Sequence, residues 1–211
     1  LGCFYGAWAG AGTMTPVASA GRQGSALDEA IVSFLLIRDQ NNSRVWKAEK
    51  GSIGSKELSQ EDWLKPWIKG INHTPFDLLM PFASLPCKYE KSGRVCGRPA
   101  HLFIFTSPES NHSFPSHGVR LAIDDAYVAP LRIEHLDGGL LPFRVFSLQS
   151  FKKIDERWLV KAIDAKDRDS GSRTRYELVE VAHGLDWNPS IFHSNGLDQP
   201  IHLSSITFLA Q

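Results

Sequence analysis

Hydrophobic and polar residues alternate in a series of short segments that fills most of the chain after residue 100. In residues 119–124 every second position is apolar, at Val119, Leu121 and Ile123. A two-residue period of this kind is typical of a β-strand with one buried face. Related patterns occur in residues 100–106, 129–136, 142–151, 157–167 and 173–182. The patterns predict a series of consecutive strands.

Short connections separate these segments, and they are rich in turn residues. They contain Ser92-Gly93, Asp137-Gly138-Gly139, Asp155-Glu156 and Asp169-Ser170-Gly171. Parallel neighbours need a crossover of about a dozen residues, so strands joined this closely are antiparallel. A meander of this length curls instead of staying flat. The predicted fold class is mainly β (α+β): a curved antiparallel meander that forms a half-barrel covered by a few short helices.

Helical signals lie in the first half of the chain. Thr74 followed by Pro75 is a typical N-cap and first helical residue, and Pro81 ends the apolar segment that follows. Residues 60–69 also have apolar side chains at helical spacing, although Pro66 interrupts them. These segments predict short helices that cover one face of the sheet.

The N-terminal third gives weaker signals. Residues 25–37 begin like a helix capped at Ser25 but end in a β-branched and aromatic run that favours a strand. Residues 22–60 as a whole show no clear series of strands. Residues 1–20 carry no charge and end in Ala18-Ser19-Ala20, a small-x-small pattern that signal peptidase recognises. We predict a signal-peptide remnant over residues 1–20 and a single exported domain over residues 21–211; the alternative is that residues 1–20 pack in the mature fold.

The charge balance restricts the partners that we expect. Lysine and arginine together number 23, as do aspartate and glutamate. Nucleic-acid-binding proteins and polybasic membrane-surface proteins normally carry a basic excess, so we expect neither class. Hydrophobic residues make up 42% of the chain and charged residues 22%, a composition typical of a globular protein with a core.

Two cysteines remain after residue 20, Cys87 and Cys96. An even pair is compatible with a disulfide in an oxidising compartment, and the alternative is two buried free thiols. Their spacing is not that of a zinc site, which usually contains C-x2-C. We therefore expect no structural metal at these positions.

The sequence contains no known catalytic motif. Its eight histidines show no H-E-x-x-H spacing, and no G-x-S-x-G elbow, P-loop or G-x-G-x-x-G fingerprint is present. A site assembled across strands, such as His101 with Asp124 and His135, is left open by the sequence. We expect a protein that is not an enzyme and has no cofactor or bound metal.

Several segments resemble the outer-membrane lipoprotein-sorting proteins of the LolA-like fold. Residues 146–158, FSLQSFKKIDERW, resemble a hairpin of that family, although residue 156 is Glu where the family turn usually has Gly. The following pair IDAKD and GSRTRYEL (residues 163–167 and 171–178) resembles the next two family strands. Earlier matching segments are DLLMPF, GRPAHL and PLRIE, at residues 77–82, 97–102 and 130–134. The resemblance covers residues 74–192.

The resemblance implies a half-barrel with helices over its mouth, and family members of established role carry lipoprotein acyl chains across the periplasm. It therefore implies a periplasmic or otherwise exported carrier, associated in some cases with the outer membrane. The expected partners are a lipoprotein acyl chain or another lipid, and an envelope protein; a nucleic acid is not expected, nor a transmembrane span in the mature chain. The alternatives are a non-catalytic envelope binding or structural module on the same fold and, third, a hydrolase that uses His and Asp across the sheet.

A carrier of acyl chains needs a concave apolar surface, and the large apolar residues of the predicted helices and strands are the candidates for its lining. They are Trp63, Trp67, Phe76, Leu79, Met80, Phe82, Phe103, Phe105, Leu131, Ile133, Phe146 and Trp158. The alternative is that these side chains only form the core, as most buried aromatic residues do.

Overall fold

The computed structural model groups the chain into two compact units, one of residues 1–63 and 180–210 and one of residues 64–179 with residue 211. The structure describes residues 14–18, 32–37, 43–49, 53–66, 72–106, 117–154, 157–178, 180–181, 193–197 and 209–210. Among the described residues, strands dominate and helices are few and short, so the predicted mainly β class is confirmed.

The first unit contains a four-stranded antiparallel sheet in sequential order. Its strands are β1 (Met14–Ala18), β2 (Val32–Ile37), β3 (Arg44–Glu49) and β4 (Lys56–Glu57). The expectation that residues 22–60 lack a strand series was therefore wrong. Leu35, Trp46, Ala48 and Leu197 form a buried cluster in this unit.

Strand β1 lies inside the segment predicted as a signal-peptide remnant and pairs with β2 from Met14 to Ala18. The processing of that segment stays a prediction, as does the single domain over residues 21–211. The ambiguous segment 25–37 ends in strand β2; residues 25–31 lie outside the described part of the chain.

The second unit contains a seven-stranded antiparallel sheet in which each strand pairs with its neighbours in sequence. Its strands are β5 (Cys87–Val95), β6 (Arg98–Thr106), β7 (Gly118–Asp124), β8 (Pro130–Leu136), β9 (Pro142–Ile154), β10 (Arg157–Asp167) and β11 (Arg173–Glu177). The predicted antiparallel meander is confirmed. A further antiparallel pair, β12 (Glu180–Val181) with β13 (Leu209–Ala210), belongs to the first unit.

The turn between β5 and β6 lies further along the chain than the sequence suggests. The predicted turn residues Ser92-Gly93 lie within β5, whereas Cys96 and Gly97 connect the pair Val95 and Arg98. Both connecting residues have positive φ, 52° and 79°. A two-residue hairpin loop with this geometry is a type I′ turn, whose twist matches that of the strands beside it.

The β9–β10 hairpin extends past both of its neighbours. The pairing of β8 with β9 ends at Ser147, and the pairing of β11 with β10 begins at Ala162. Between these points the two strands pair with each other as far as Ile154 and Arg157. The end of the hairpin is therefore a two-stranded ribbon, and it carries Trp158, which is 59% exposed.

A short helical segment precedes the sheet. Helix α1 (Pro75–Leu79) begins at the N-cap Thr74, which forms a capping box with Asp77, so the predicted helix start is confirmed. The helix ends at Met80, whose φ of 45° is left-handed, and a 3-10 turn follows over Pro81–Ser84. Two further 3-10 turns cover Asp62–Leu64 and Ser194–Gly196.

Side-chain alternation divides the seven-stranded sheet into two faces. The helix-covered face contacts α1 and the turn after it, and it carries Phe103, Phe105, Val119, Leu121, Ile133, His135, Arg144 and Phe146. The charged face carries Arg98, Arg120, Asp124, Arg132, Glu134, Asp164, Arg173 and Arg175. Within the described residues, no helix is both long and apolar enough to cross a membrane.

Candidate ligand-binding face

An apolar cluster lies on strands β6 and β7 of the helix-covered face, and two residues of the covering segment, residues 75–84, complete it. Met80 and Phe82 pack with Phe105 of β6 and with Val119 and Leu121 of β7. The rings of Phe82 and Phe105 meet edge to face, with their centroids 5.5 Å apart. The partly buried residues around this cluster are Leu85, Phe103, Ile123 and Ile133.

The covering segment depends on these contacts for its position. Helix α1 has five residues, and isolated helices shorter than about 12 residues are marginal in water. Its apolar side chains Phe76, Leu79 and Met80 are almost fully buried. If the segment moved away, both its own apolar side chains and the strip of sheet beneath them would be exposed.

A polar cluster lies beside the apolar one and also joins α1 to the sheet. The Asp77 Oδ1 atom of α1 is 3.1 Å from Nε2 of His135 on β8, and its Oδ2 atom is 3.7 Å from Nη1 of Arg144 on β9. Arg144 Nε is in turn 3.6 Å from Oδ2 of Asp167 on β10. Asp77 and His135 are both buried.

Asp77 also belongs to the N-terminal cap of α1. The Thr74 backbone N–H and the Thr74 hydroxyl each donate to Asp77 Oδ2, both at 2.8 Å. One carboxylate therefore begins the helix and fixes it to the sheet. Burial raises the pKa of Asp77, but the contacts with His135, His73 and Arg144 outweigh burial, so the pKa lies below its ordinary value.

The polar groups of this cluster are close in space but poorly aligned for hydrogen bonding. Among the described residues, the two ring nitrogens of His135, Oδ1 of Asp77 and Nε of Arg144 are buried without a hydrogen bond. The contacts of Asp77 with His135 and Arg144 are therefore close approaches of polar groups and not aligned hydrogen bonds.

His73 lies next to this cluster in an aromatic setting. Its ring centroid is 4.9 Å from that of Tyr176 and 5.2 Å from that of Phe146. Burial lowers the pKa of His73 to about 4; the negative charge of Asp77 opposes this shift, and the neighbouring Arg144 and His135 add to it. His73 is therefore neutral at pH 7. Burial, with the Asp77 charge, also raises the pKa of Tyr176.

On the charged face, arginine and carboxylate side chains form hydrogen-bonded ion pairs. Arg120 donates to both oxygens of Glu90, at 2.7 and 3.0 Å, and to Glu134 at 2.8 Å. Arg98 contacts Asp124, and Arg173 and Arg175 contact Asp164. Asp124 and Asp164 are buried.

The cationic neighbours on the charged face lower the pKa of two buried carboxyl groups. Arg98 does so for Asp124, and Arg175 with Arg173 does so for Asp164, in each case against the effect of burial. Asp164 is buried although charged residues alternate in sign through residues 164–169.

The cross-strand site of His101, Asp124 and His135 does not form. Asp124 pairs with Arg98 on the charged face, whereas His101 Nε2 is 2.8 Å from Asp125 Oδ1. His135 contacts Asp77 instead. Among the described residues, no group of three or more His, Cys, Asp or Glu is placed to hold a metal ion.

Most of the predicted lining residues lie together in the second unit. Phe76, Leu79, Met80, Phe82, Phe103, Phe105, Leu131, Ile133 and Phe146 are buried or half-buried there. Trp158 is not among them, because the end of the β9–β10 hairpin leaves it exposed. Trp63 is buried in the first unit, and Trp67 lies outside the described residues. That any of them contacts a ligand stays a prediction.

The two cysteines do not form the disulfide that was one of the two alternatives left open by the sequence. Cys87 begins β5 and Cys96 follows its last residue, and both thiols are free. A strand rises about 3.3 Å per residue, so the strand between them holds the cysteines far beyond the distance of about 7 Å that a disulfide spans. The alternative of buried thiols is wrong as well, because both are exposed.

The sequence interpretation missed the polar cluster, although one signal was available. His135 continues the apolar series Leu131 and Ile133, and Arg144 precedes Phe146 in the same phase. A titratable residue on the apolar face of a predicted strand indicates a buried polar contact. Its partner Asp77 could not be identified, because the capping pattern alone explains an acidic residue there.

Three solved structures are similar to this one. The first is a domain from Vibrio parahaemolyticus described as an outer membrane lipoprotein-sorting protein, with a TM-score of 0.61, 13% identity, and coverage of 80% of this chain and 72% of that chain. The second is a DUF1329 family protein from Desulfovibrio piger, with a TM-score of 0.59, 12% identity and coverage of 79% and 70%. The third is a LolA superfamily protein from Nitrosomonas europaea, with a TM-score of 0.50, 12% identity and coverage of 87% and 90%.

No protein-family model matches the chain, and no curated protein matches it in sequence. The structural similarities at this low identity concern the fold alone. The chain has a LolA-like fold, as its resemblance to the lipoprotein-sorting proteins implied.

Proposed function

We propose that this protein binds and carries a lipid, whose acyl chain occupies the helix-covered face in place of the segment that covers it. The observation that supports this proposal is the apolar cluster of Phe105, Val119 and Leu121, which is closed by Met80 and Phe82 from a helix of five residues and the turn after it. A surface covered by so short a segment can be uncovered without unfolding the sheet.

The energies of such an exchange are of similar size. Moving Phe76, Leu79, Met80 and Phe82 into water costs about 1.5–3 kcal/mol for each side chain, or about 6–12 kcal/mol in all. Burial of an acyl chain contributes about 0.8 kcal/mol per methylene, so about 14 methylenes contribute about 11 kcal/mol. A long acyl chain therefore offsets most of the cost of exposing the segment.

The role of the protein follows from this exchange. A ligand that is held by apolar contacts and released intact needs no nucleophile, general base or metal, so the protein acts as a carrier or binding protein and not as an enzyme. The uncharged segment before Gly21 and the LolA-like fold both suit an exported protein of the periplasm. A lipoprotein acyl chain is one such ligand, and an envelope protein is the expected partner.

A second function is favoured by a separate observation. Tyr127 and Trp158 are each 59% exposed, and their ring centroids are 6.3 Å apart. Val128 beside them is exposed as well. Exposed apolar groups of this kind mark interaction surfaces, so a binding module without a lipid ligand would use this end of the sheet.

Photocrosslinking distinguishes the two functions. The protein is incubated with a fatty acid that carries a diazirine near the end of its chain, irradiated, and digested for peptide mass spectrometry, with excess dodecanoic acid as competitor. We expect stoichiometric, competable labelling of β6 and β7 peptides at Phe105 or Leu121. Labelling confined to Tyr127 and Trp158, or an absence of competable labelling, would contradict the carrier function.

A further inference from the structure

The covering segment presents two kinds of group to the sheet at once. Phe76, Leu79 and Met80 supply buried apolar surface, and Asp77 supplies a buried carboxylate between Phe76 and Leu79 in sequence. An acyl chain with an anionic head has the same two parts. The segment therefore occupies the sheet in the way that an anionic lipid would.

The sheet beneath Asp77 needs an anion when α1 is absent. Arg144 would keep Asp167 at 3.6 Å but lose the second carboxylate, and His135 Nε2 would lose its contact at 3.1 Å. The rings of Phe143 and Phe146, which belong to the sheet, lie against His135. A neutral ligand would leave Arg144 and His135 without this partner in apolar surroundings, which is unfavourable, whereas an anionic oxygen would restore the pairing.

His135 has a second ring nitrogen, Nδ1, that forms no hydrogen bond with Asp77. Its side chain is almost completely buried, and within the described part of the chain its Nδ1 atom has no hydrogen-bond partner. The Oδ2 atom of Asp77 is held by the N-cap at Thr74 through two hydrogen bonds at 2.8 Å, which restrains the orientation of the carboxylate. The head of a separate ligand has no such restraint and can align with a ring nitrogen.

The two parts of the face adjoin. His135 on β8 is the register partner of Val119 on β7, and Arg144 on β9 and Phe105 on β6 continue the same row. Neighbouring strands are about 4.8 Å apart, so this row spans about 14 Å from β9 to β6. An acyl chain that lies along the row would place its head at Arg144 and His135 and its chain over Val119 and Phe105.

We propose that the ligands of this face are acyl chains with an anionic oxygen head, a carboxylate or a phosphate, which pairs with Arg144 and His135 in the position that Asp77 holds in the closed protein. The inference rests on the proposed lipid-binding function and adds the class of lipid.

Ligands that are matched in chain length and differ in their head group test this proposal. Dodecanoate and dodecan-1-ol have chains of the same length and differ in head charge, and dodecyl phosphate distinguishes the two anionic heads. Titration calorimetry at pH 7.5, below the critical micelle concentration, gives each affinity. We expect dodecanoate or dodecyl phosphate to bind about tenfold more tightly than the alcohol, since hydrogen bonds to ionised groups are the strong ones. The tighter of the two anions assigns the head as carboxylate or phosphate.

Two variants locate the effect. R144Q should remove the preference for the anion while the affinity for dodecan-1-ol stays within twofold. The matched control is R132Q on the charged face, where Arg132 pairs with Glu134, and it should keep the preference. Circular dichroism and the unfolding midpoint show whether each variant folds, and H135Q replaces R144Q if that variant does not.

The outcomes separate the two proposals. Equal affinity of the unmodified protein for dodecanoate, dodecyl phosphate and dodecan-1-ol would overturn the anionic head and leave lipid binding in place. Binding of none of the three ligands would overturn the carrier function and this inference together. An equal loss of preference in R144Q and R132Q would overturn the assignment of the head to this cluster.

Discussion

Both faces of the seven-stranded sheet contain ion pairs, but the two sets join different elements of the structure. On the charged face Arg120 joins Glu90 of β5 and Glu134 of β8 at 2.7–3.0 Å, so the contacts run from strand to strand. On the helix-covered face Asp77 approaches His135 and Arg144 at 3.1 and 3.7 Å, and these contacts join the sheet to α1. The aligned pairs of Arg120 join strands of the sheet, whereas the longer Asp77 contacts join the sheet to the segment that leaves it in the proposed function.

The largest expected effect comes from removing the carboxylate that joins α1 to the sheet. Asp77→Ala leaves His135 and Arg144 without this partner and removes one part of the helix cap. We expect the free energy of unfolding to fall by about 3–5 kcal/mol, the usual cost of breaking a buried ion pair. Urea denaturation measures it, with the exposed Asp125→Ala as control. A loss below about 1 kcal/mol would mean that the pair contributes as little as a surface pair does.

The two faces should also differ in the pH at which they lose stability. The pKa of His73 is lowered to about 4 from an ordinary 6.5, so its neutral form favours the folded state. The unfolded chain takes up the proton first, so this stability is present above pH 6.5 and is lost as the pH falls from 6.5 to 4, by about 3 kcal/mol.

The carboxyl groups of the charged face respond at lower pH. The pKa values of Asp124 and Asp164 lie below the ordinary 3.8, so their contribution is lost only as the pH falls below that value. Unfolding free energies measured from pH 7 to 3 should fall in two stages, and His73→Leu should remove the first. A single stage below pH 4 in the unmodified protein would contradict the assignment.

A third test compares residues of one strand that lie on opposite faces. Phe105 and Leu102 of β6 are each 9% exposed, and Phe105 lies on the helix-covered face. F105A and L102A should both destabilise the protein by a few kcal/mol, in the range of about 2–5 kcal/mol for such changes. Only F105A should weaken dodecanoate binding, by about tenfold, which corresponds to about 1.4 kcal/mol. Equal loss of affinity would show that general destabilisation and not contact is responsible.

The smallest effect is expected on the charged face. Glu90→Gln removes one carboxylate from Arg120, which keeps Glu134 at 2.8 Å, and Glu90 is partly exposed to water. The loss of stability should be about 1 kcal/mol or less. Urea denaturation of E90Q beside Asp77→Ala gives the ratio of the two effects, and a ratio near one would remove the distinction between the faces.

The sequence predicted the seven-stranded sheet well because its strands alternate with a period of two and their connections are short. It failed where a local signal was misleading: Ser92-Gly93 has turn composition but lies within β5, whereas Cys96 occupies the turn in a conformation that non-glycine residues rarely adopt. Strand β2 was ambiguous because a continuous apolar run suits a buried helix as well as a strand.

The candidate site likewise has one part that the sequence predicted and one part that it did not. Its apolar members could be identified from residue type alone, because large hydrophobic side chains near a predicted sheet are usually buried. The contact of Asp77 with His135 and Arg144 could not, since the three residues come from separate segments and meet only when α1 lies on the sheet. Pairings across a fold depend on where the elements pack, which a local pattern does not contain.

The backbone at Met80 gives the closed state a property of its own. Its left-handed φ of 45° is a conformation that costs a non-glycine residue about 1–2 kcal/mol, and the packing of its buried side chain maintains it. If the segment leaves the sheet, as the proposed function requires, this residue can return to an ordinary conformation. Relaxation of the backbone at Met80 would then offset about 1–2 kcal/mol of the cost of exposing the segment.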